Sequence, residues 1–325
     1  MLGRGALFLS IPLLVADVHS VLGARRAFAT TATACEGARP PLPRSILYEL
    51  RAGAFPGSGR PDVAVHVPPG FDATSRPGVV VYFHGWSTCV EAAVGDDEVP
   101  CVEGGEARAA SHLAAQLDDA RVNAVLVAVE LRADQATGEP GQLATFGGLR
   151  ALLRELFDEH LSAALGAGEA ACPLEVDALD RVLVVAHSGG YQAAAAVVAM
   201  GEVPAVHEVA LLDALYGADD VFARWVAEAQ LDASRRFVDL YTCCGGTLER
   251  SRTLAALAED VSPGLVEDDD GDGELRAGSL ERPLAFKRVP RLHTELPGAY
   301  FGALVDAAGF ARLGFDGGAG TPRLR

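Results

Sequence analysis

The chain has 325 residues, half of them hydrophobic, and carries a formal net charge of −17. That is enough apolar material for one large domain. An acidic surface of this kind repels phosphate backbones and anionic membranes, which excludes nucleic acid as an expected partner.

The N-terminus reads Met1-Leu-Gly-Arg4, followed by an apolar stretch from Ala6 to Leu22 and two small-x-small sites, Ala27-Phe28-Ala29 and Ala32-Thr33-Ala34. One positive charge, an apolar core and a cleavage site describe a secretory signal peptide, predicted over residues 1–34. The competing reading is an uncleaved membrane anchor, since Asp17 and His19 interrupt the apolar run. Cys35, directly after Ala34, has the position of a lipoprotein acceptor; its alternative is an ordinary disulfide cysteine. No other stretch approaches the roughly 18 apolar residues of a membrane span. The expected location is secreted, periplasmic or cell-surface in a bacterium. Pro-rich residues 35–44 read as a linker into a domain over 45–325.

Strands and helices then alternate, which implies a doubly wound, mostly parallel α/β sheet in a single domain. Strands are predicted at Ser45–Leu50, Asp62–Val67, Gly78–Phe83, Asn123–Glu130, Arg181–Ala186, His207–Leu212, Arg236–Tyr241 and Pro283–Val289. The run Gly-Val-Val-Val-Tyr-Phe at 78–83 is continuously apolar, as a strand buried on both faces must be. Helices are predicted at Ala107–Leu117, Ala144–Leu165, 191–200, Asp219–Ala229, Leu248–Ala258 and Gly298–Ala308. Val266–Gly278, acidic and Gly-containing, reads as a loop.

Cys89 and Cys101 bracket a Gly/Asp/Glu-rich loop, and export makes a bridge between them the expected pairing. Cys243 and Cys244 are adjacent and are not expected to pair with each other. The cysteines do not have zinc-ligand spacing.

The sharpest motif is Val184-Val185-Ala186-His187-Ser188-Gly189-Gly190-Tyr191. A β-rich run stops at a serine flanked by small residues, and a helix-forming stretch follows. A tight strand-to-helix turn lifts a serine Oγ off the sheet edge and sets helix N-terminal N–H groups beside a developing oxyanion. Tyr82-Phe83-His84-Gly85-Trp86 ends an earlier buried strand. With these two turns the chain resembles the α/β-hydrolase superfamily, in particular its secreted serine esterase and depolymerase-like members. Ala186 stands where that family usually has Gly. The resemblance implies Ser188 as nucleophile, an oxyanion hole from the Trp86 and Gly189 N–H groups, and the chain order serine, acid, histidine. His84 is read as ordering its loop.

Of eight histidines, His293 alone lies beyond all the central strands, in the loop before the last helix, and is the expected base. His187 is expected to point away from Ser188. Asp213, which ends the run Val209–Leu212, is the favoured acid; Asp239 and Glu249 are its alternatives. Tyr191 and Tyr216, with Trp86, are candidate substrate-pocket residues. Asp268, Asp270 and Asp272, followed by Gly273, resemble half of a calcium loop, but position twelve would be Ser279; no cofactor is expected, with calcium as the alternative. The function expected is a serine hydrolase acting on a small or polymeric ester, an amide being second choice. A secreted acyltransferase and a non-catalytic surface or binding protein of the same fold are the alternatives.

Overall fold

The computed structural model describes residues 44–314 apart from 137, 162–173, 245, 262, 270–272, 276–277, 279 and 281. The predicted leader and linker, with Cys35 and Cys172, lie outside the described residues.

Eleven strands and seven α-helices make up the described chain. They run β1 (Arg44–Tyr48), β2 (Val63–Val67), β3 (Gly78–Phe83), α1 (Val90–Val94), β4 (Val99–Pro100), β5 (Ala107–Arg108), α2 (Leu113–Ala120) and β6 (Ala124–Val129). There follow α3 (Gly148–Glu155), β7 (Arg181–His187), α4 (Tyr191–Met200), β8 (Val206–Leu212), α5 (Asp219–Leu231), β9 (Arg236–Tyr241), α6 (Leu248–Val261), β10 (Val266–Asp269), β11 (Leu284–Arg288) and α7 (Leu296–Ala307). Nine strands form one sheet in the order β1-β2-β6-β3-β7-β8-β9-β11-β10. β2 runs antiparallel to β1 and β6; the other neighbours are parallel.

Alternation along each strand feeds two cores. Val79, Val81 and Phe83 join the face covered by α3 to α6, where Leu149, Ala194, Phe222 and Leu254 pack. Val80 and Tyr82 join the opposite face, under α2 and α7, with Leu113, Leu117, Phe301 and Leu304. A sheet covered on both sides explains the uninterrupted apolar runs that mark its central strands. Among the described residues, no helix is long and apolar enough to cross a membrane.

Four local expectations need correction. Ala107 and Arg108 are not helical: they pair as β5 with β4 in a small hairpin, and the helix starts only at Leu113. The Cys89–Cys101 bridge, present as expected with its Cα atoms 5.3 Å apart, ties this hairpin down and overrides the helix propensity of its alanines. The predicted long helix from Ala144 is α3 alone, preceded by a 3₁₀ turn at Gly141–Ala144 and continued by π-type turns over Leu156–Leu161. Part of the expected loop at Val266–Gly278 is strand β10, held by parallel pairing of Val266 with Leu284 through Asp269 with Lys287; pairing at a sheet edge outweighs the low β propensity of aspartate. Finally, Cys243 and Cys244 are bonded to each other, where the chain turns sharply after β9. That turn carries Thr242 and Thr247 back onto one carboxylate, described below, and brings the neighbouring sulfurs together.

Candidate active site

Parallel strands deliver their C-terminal ends to one edge, and three of the predicted residues arrive there: Ser188 after β7, Asp213 after β8 and His293 after β11. Ser188 sits in a left-handed backbone conformation, φ +53°, at the sharp turn into α4. Such a conformation in a non-glycine residue is strained and requires close packing to hold it. The packing is visible at two glycines. A Cβ on Gly190 would lie 2.6 Å from the Phe83 carbonyl oxygen, and one on Gly85 would lie 2.7 Å from Ser188 Cβ. The loop after β3 is therefore pressed directly against the serine. Ala186, fully buried, keeps the small side chain that the turn needs.

His293 Nε2 lies 2.8 Å from Ser188 Oγ, and His293 Nδ1 lies 2.7 Å from Asp213 Oδ2. With Nδ1–H donating to the carboxylate, Nε2 is free to accept the serine hydroxyl proton. Asp213 is fully buried. Its Oδ2 also accepts from Thr242 Oγ1 at 2.8 Å, and its Oδ1 accepts from Thr242 N–H at 3.2 Å and from the Thr247 hydroxyl. Burial alone would raise this carboxyl; the donors from His293, Thr247 and Thr242 outweigh it and hold Asp213 below its ordinary range. The loop bearing His293 is fixed in turn by Glu295, whose carboxylate accepts from Leu292 N–H at 3.1 Å.

The alternative acids do not reach His293 by hydrogen bonds. Glu249 stands exposed in the first turn of α6. Asp239 is fully buried on β9, and neither of its oxygens has a hydrogen-bond partner among the described residues. Burial pushes its carboxyl up to about 7, and the nearby charge of Asp213 adds to this against an opposing contribution from Ser251. A carboxyl of about 4 in the unfolded chain thus keeps its proton longer in the native state. At this site the native protein then binds more protons than the unfolded chain between about pH 4 and 7, so the stability this carboxyl contributes is fully present below the window and falls as pH rises through it. Buried Glu130 and Glu208 are likewise raised to about 7 and act in the same sense. Buried His84 and His187, held neutral, act in the opposite sense, so the contribution of Asp239 is read as a difference: the urea midpoint of Asp239→Asn should gain on that of the wild type as pH rises from about 4 to 7. An unchanged pH dependence in the variant would refute the assignment.

His84 behaves as expected. It is buried, its Nδ1–H donates to the Gly85 carbonyl at 2.8 Å, and its Nε2 accepts from Leu131 N–H at 2.8 Å. Burial lowers it to about 4, so it is a neutral ring that ties the loop after β3 to the end of β6. Trp86 is 58% exposed at the rim of a cavity of about 630 Å³ that is also lined by Ser188 and His293. Gly189 lies in the 3₁₀ turn that opens α4, where N–H groups lack partners within the helix.

The two tyrosines and His187 take the following places. Tyr191 and Tyr216 are not among the residues that line this cavity. Tyr216 packs edge-on against His293 with ring centroids 6.2 Å apart, and Tyr191 packs on Tyr216 at 6.3 Å, so both support the histidine from behind. His187 does not point away from the site. Its Nε2–H donates to the His293 carbonyl at 2.9 Å and its ring lies 4.8 Å from the His293 ring. Burial, then the neighbouring His293, lowers it to about 3 and keeps it neutral. No pattern in the sequence signals this contact, which depends on a residue 106 positions away. Of the calcium candidates, Asp268 belongs to β10, while Asp270 and Asp272 lie outside the described residues. The metal-like cluster Glu155, Glu159 and His160 already has its carboxylates taken by Arg51 and by the Arg51 and Ala52 N–H groups.

The sheet order, with its second strand reversed, carries serine, acid and histidine in that sequence on its carboxyl edge. This is the α/β-hydrolase fold. No family model matches the sequence, and no curated protein matches it. Among solved structures, the chain is similar to a feruloyl esterase module from Clostridium thermocellum, at a TM-score of 0.46 and 11% identity over 84% of this chain and 88% of that one. It is similar to a ferulic acid esterase from Anaeromyces mucronatus at 0.41 and 12%, over 84% and 93% of the two chains. An esterase from Pyrococcus furiosus gives 0.32 and 11%, over 69% and 79%.

Proposed function

We propose that this α/β hydrolase is a serine hydrolase that cleaves carboxylic esters through an acyl-serine intermediate. The observation that carries the reading is the unbroken hydrogen-bonded path from Ser188 Oγ through the His293 ring to the Asp213 carboxylate, opening on a cavity of about 630 Å³.

In this reading Ser188 Oγ attacks the ester carbonyl carbon as its proton passes to His293 Nε2. The imidazolium is stabilised by Asp213, which stays ionised because its other bonds favour the charged form. The carbonyl oxygen, now negative, is met by the Trp86 and Gly189 N–H groups, each worth roughly 3–4 kcal/mol in comparable sites. His293 then returns the proton to the departing alcohol. Water repeats the sequence on the acyl-serine and releases the acid. Tyr216, behind His293, and His187, bonded to its carbonyl, hold the base in register.

The cellular setting is part of the proposal. A leader over residues 1–34 fits export, and the bridges Cys89–Cys101 and Cys243–Cys244 fit an oxidising compartment.

The test is covalent labelling with a fluorophosphonate, run beside a panel of p-nitrophenyl esters with and without calcium. Wild type should label and cleave, and Ser188→Ala should not label. Equal labelling of the two proteins would overturn the reading.

A further inference from the structure

Two arginines line the cavity beside Ser188, and they differ in how they are held. Arg291 is paired: its Nη2 lies 2.8 Å from Glu274 Oε1, whose second oxygen accepts from Tyr300 Oη at 2.7 Å. Arg108 has a single bond, from Nε–H to the Ser87 carbonyl at 2.9 Å. Among the described residues no carboxylate lies within ion-pair distance of it and its two terminal NH₂ groups make no hydrogen bond, so this side chain, which lines the cavity and a smaller adjoining one, has donors to spare.

The carboxylates around it are engaged or remote. Glu274 is taken by Arg291 and Tyr300. Exposed Glu295 accepts from Leu292 N–H on the far wall. Asp134, on the outer side of Arg108, is gripped by Arg132 through both oxygens at 2.9 and 2.8 Å. Glu106, also on that side, is exposed and makes no ion pair among the described residues.

Arg108 also stands on a built element. It belongs to β5, pairs with Val99 of β4, and that hairpin is tied to the start of α1 by the Cys89–Cys101 bridge. Its Nε–H grips the residue immediately after Trp86. The guanidinium is thus fixed to the loop that carries a proposed oxyanion donor, on the wall of the cavity that Ser188 also lines. An arginine fork matches a carboxylate in shape as well as charge, and an oriented fork loses little entropy on binding one. In a chain of net charge −17, an unpaired cation lining this cavity has a defined electrostatic use.

Resting on the ester-hydrolase reading, we propose that Arg108 recognises a carboxylate on the substrate, so that the preferred substrates are anionic esters. The carboxylate can belong to the acyl part or to the alcohol part, and matched substrate pairs separate the two. For the acyl side, the p-nitrophenyl monoester of adipic acid is compared with p-nitrophenyl hexanoate. For the alcohol side, 4-acetoxybenzoate is compared with its methyl ester. Each pair is assayed with wild type, Arg108→Gln and Arg108→Lys.

Wild type should favour the anionic member of one pair by about tenfold in kcat/KM, the scale of one charge-assisted hydrogen-bonded contact. Arg108→Gln should bring that ratio to about one, chiefly through KM, and Arg108→Lys should keep part of it. High salt should reduce the wild-type ratio. The proposal is overturned if wild type shows no preference in either pair, or if Arg108→Gln weakens both members equally and leaves the ratio intact. It is also overturned if none of the four esters is cleaved by protein that still labels with fluorophosphonate at Ser188. Absence of labelling would instead bring down the hydrolase reading beneath it.

Discussion

Ser188→Ala should lower kcat on any ester the protein cleaves by about 10⁴- to 10⁶-fold, with little change in the unfolding midpoint. Alanine accepts the same left-handed backbone no better and no worse than serine, so the turn at φ +53° is not further strained. The hydroxyl's bond to His293 Nε2 is the contact removed. His293→Ala should cost about as much, because a serine without a proton acceptor is a poor nucleophile at neutral pH. The decisive measurement is the double variant. If the two groups act as a unit, Ser188→Ala/His293→Ala is no slower than the worse single variant. Multiplying losses would mean that the 2.8 Å contact is incidental to turnover.

Asp213→Asn should lower kcat by about 10⁴-fold while keeping the side chain's shape. An Asn amide facing His293 Nδ1 makes that nitrogen an acceptor, which moves the ring proton to Nε2 and leaves nothing to take the serine proton. Thr242 and Thr247 would keep partners but lose the charge they now solvate. Asp239→Asn is the matched control: a buried aspartate on the adjacent strand, with no bond to His293. Its kcat should stay close to wild type. Parallel stopped-assay kinetics on both variants, with unfolding curves to separate activity from folding, check the assignment. A large loss in Asp239→Asn with none in Asp213→Asn would reverse the roles.

Ser188 and Asp213 were legible because each directly follows an apolar run whose end marks the same sheet edge, and His293 because it is the one histidine beyond all the central strands. Ser188 had its small neighbours as a further signal. Asp213 directly follows the apolar run that forms β8, whereas Asp239 lies inside a strand, where a side chain faces a helix layer and not the edge. What sequence could not carry was contact between distant segments. His187 meets the His293 carbonyl across 106 residues, and Tyr216 meets His293 across five intervening strands and helices. The alanines around Arg108 favour a helix locally, but a disulfide and two strand-pairing residues decide otherwise. β10 exists because β11 offers it a free edge, a property of the sheet and not of Val-Glu-Asp-Asp. The Cys243–Cys244 bond lies between two threonines that both return to Asp213, a contact across the sheet edge that no local pattern shows.

Ser188 and Asp213 both stand in left-handed backbone, at φ +53° and +47°. Such positions cost on the order of 1–3 kcal/mol each in non-glycine residues, and a glycine would relieve the cost at either place while erasing the reacting group. Folding and chemistry therefore pull these two codons in opposite directions. A lineage that drifts under pressure for robustness alone has a short downhill route to an inert chain, since every aspartate codon lies one base change from glycine. Retention of both side chains among descendants of this sequence would then record purifying selection for turnover, independent of any knowledge of the substrate.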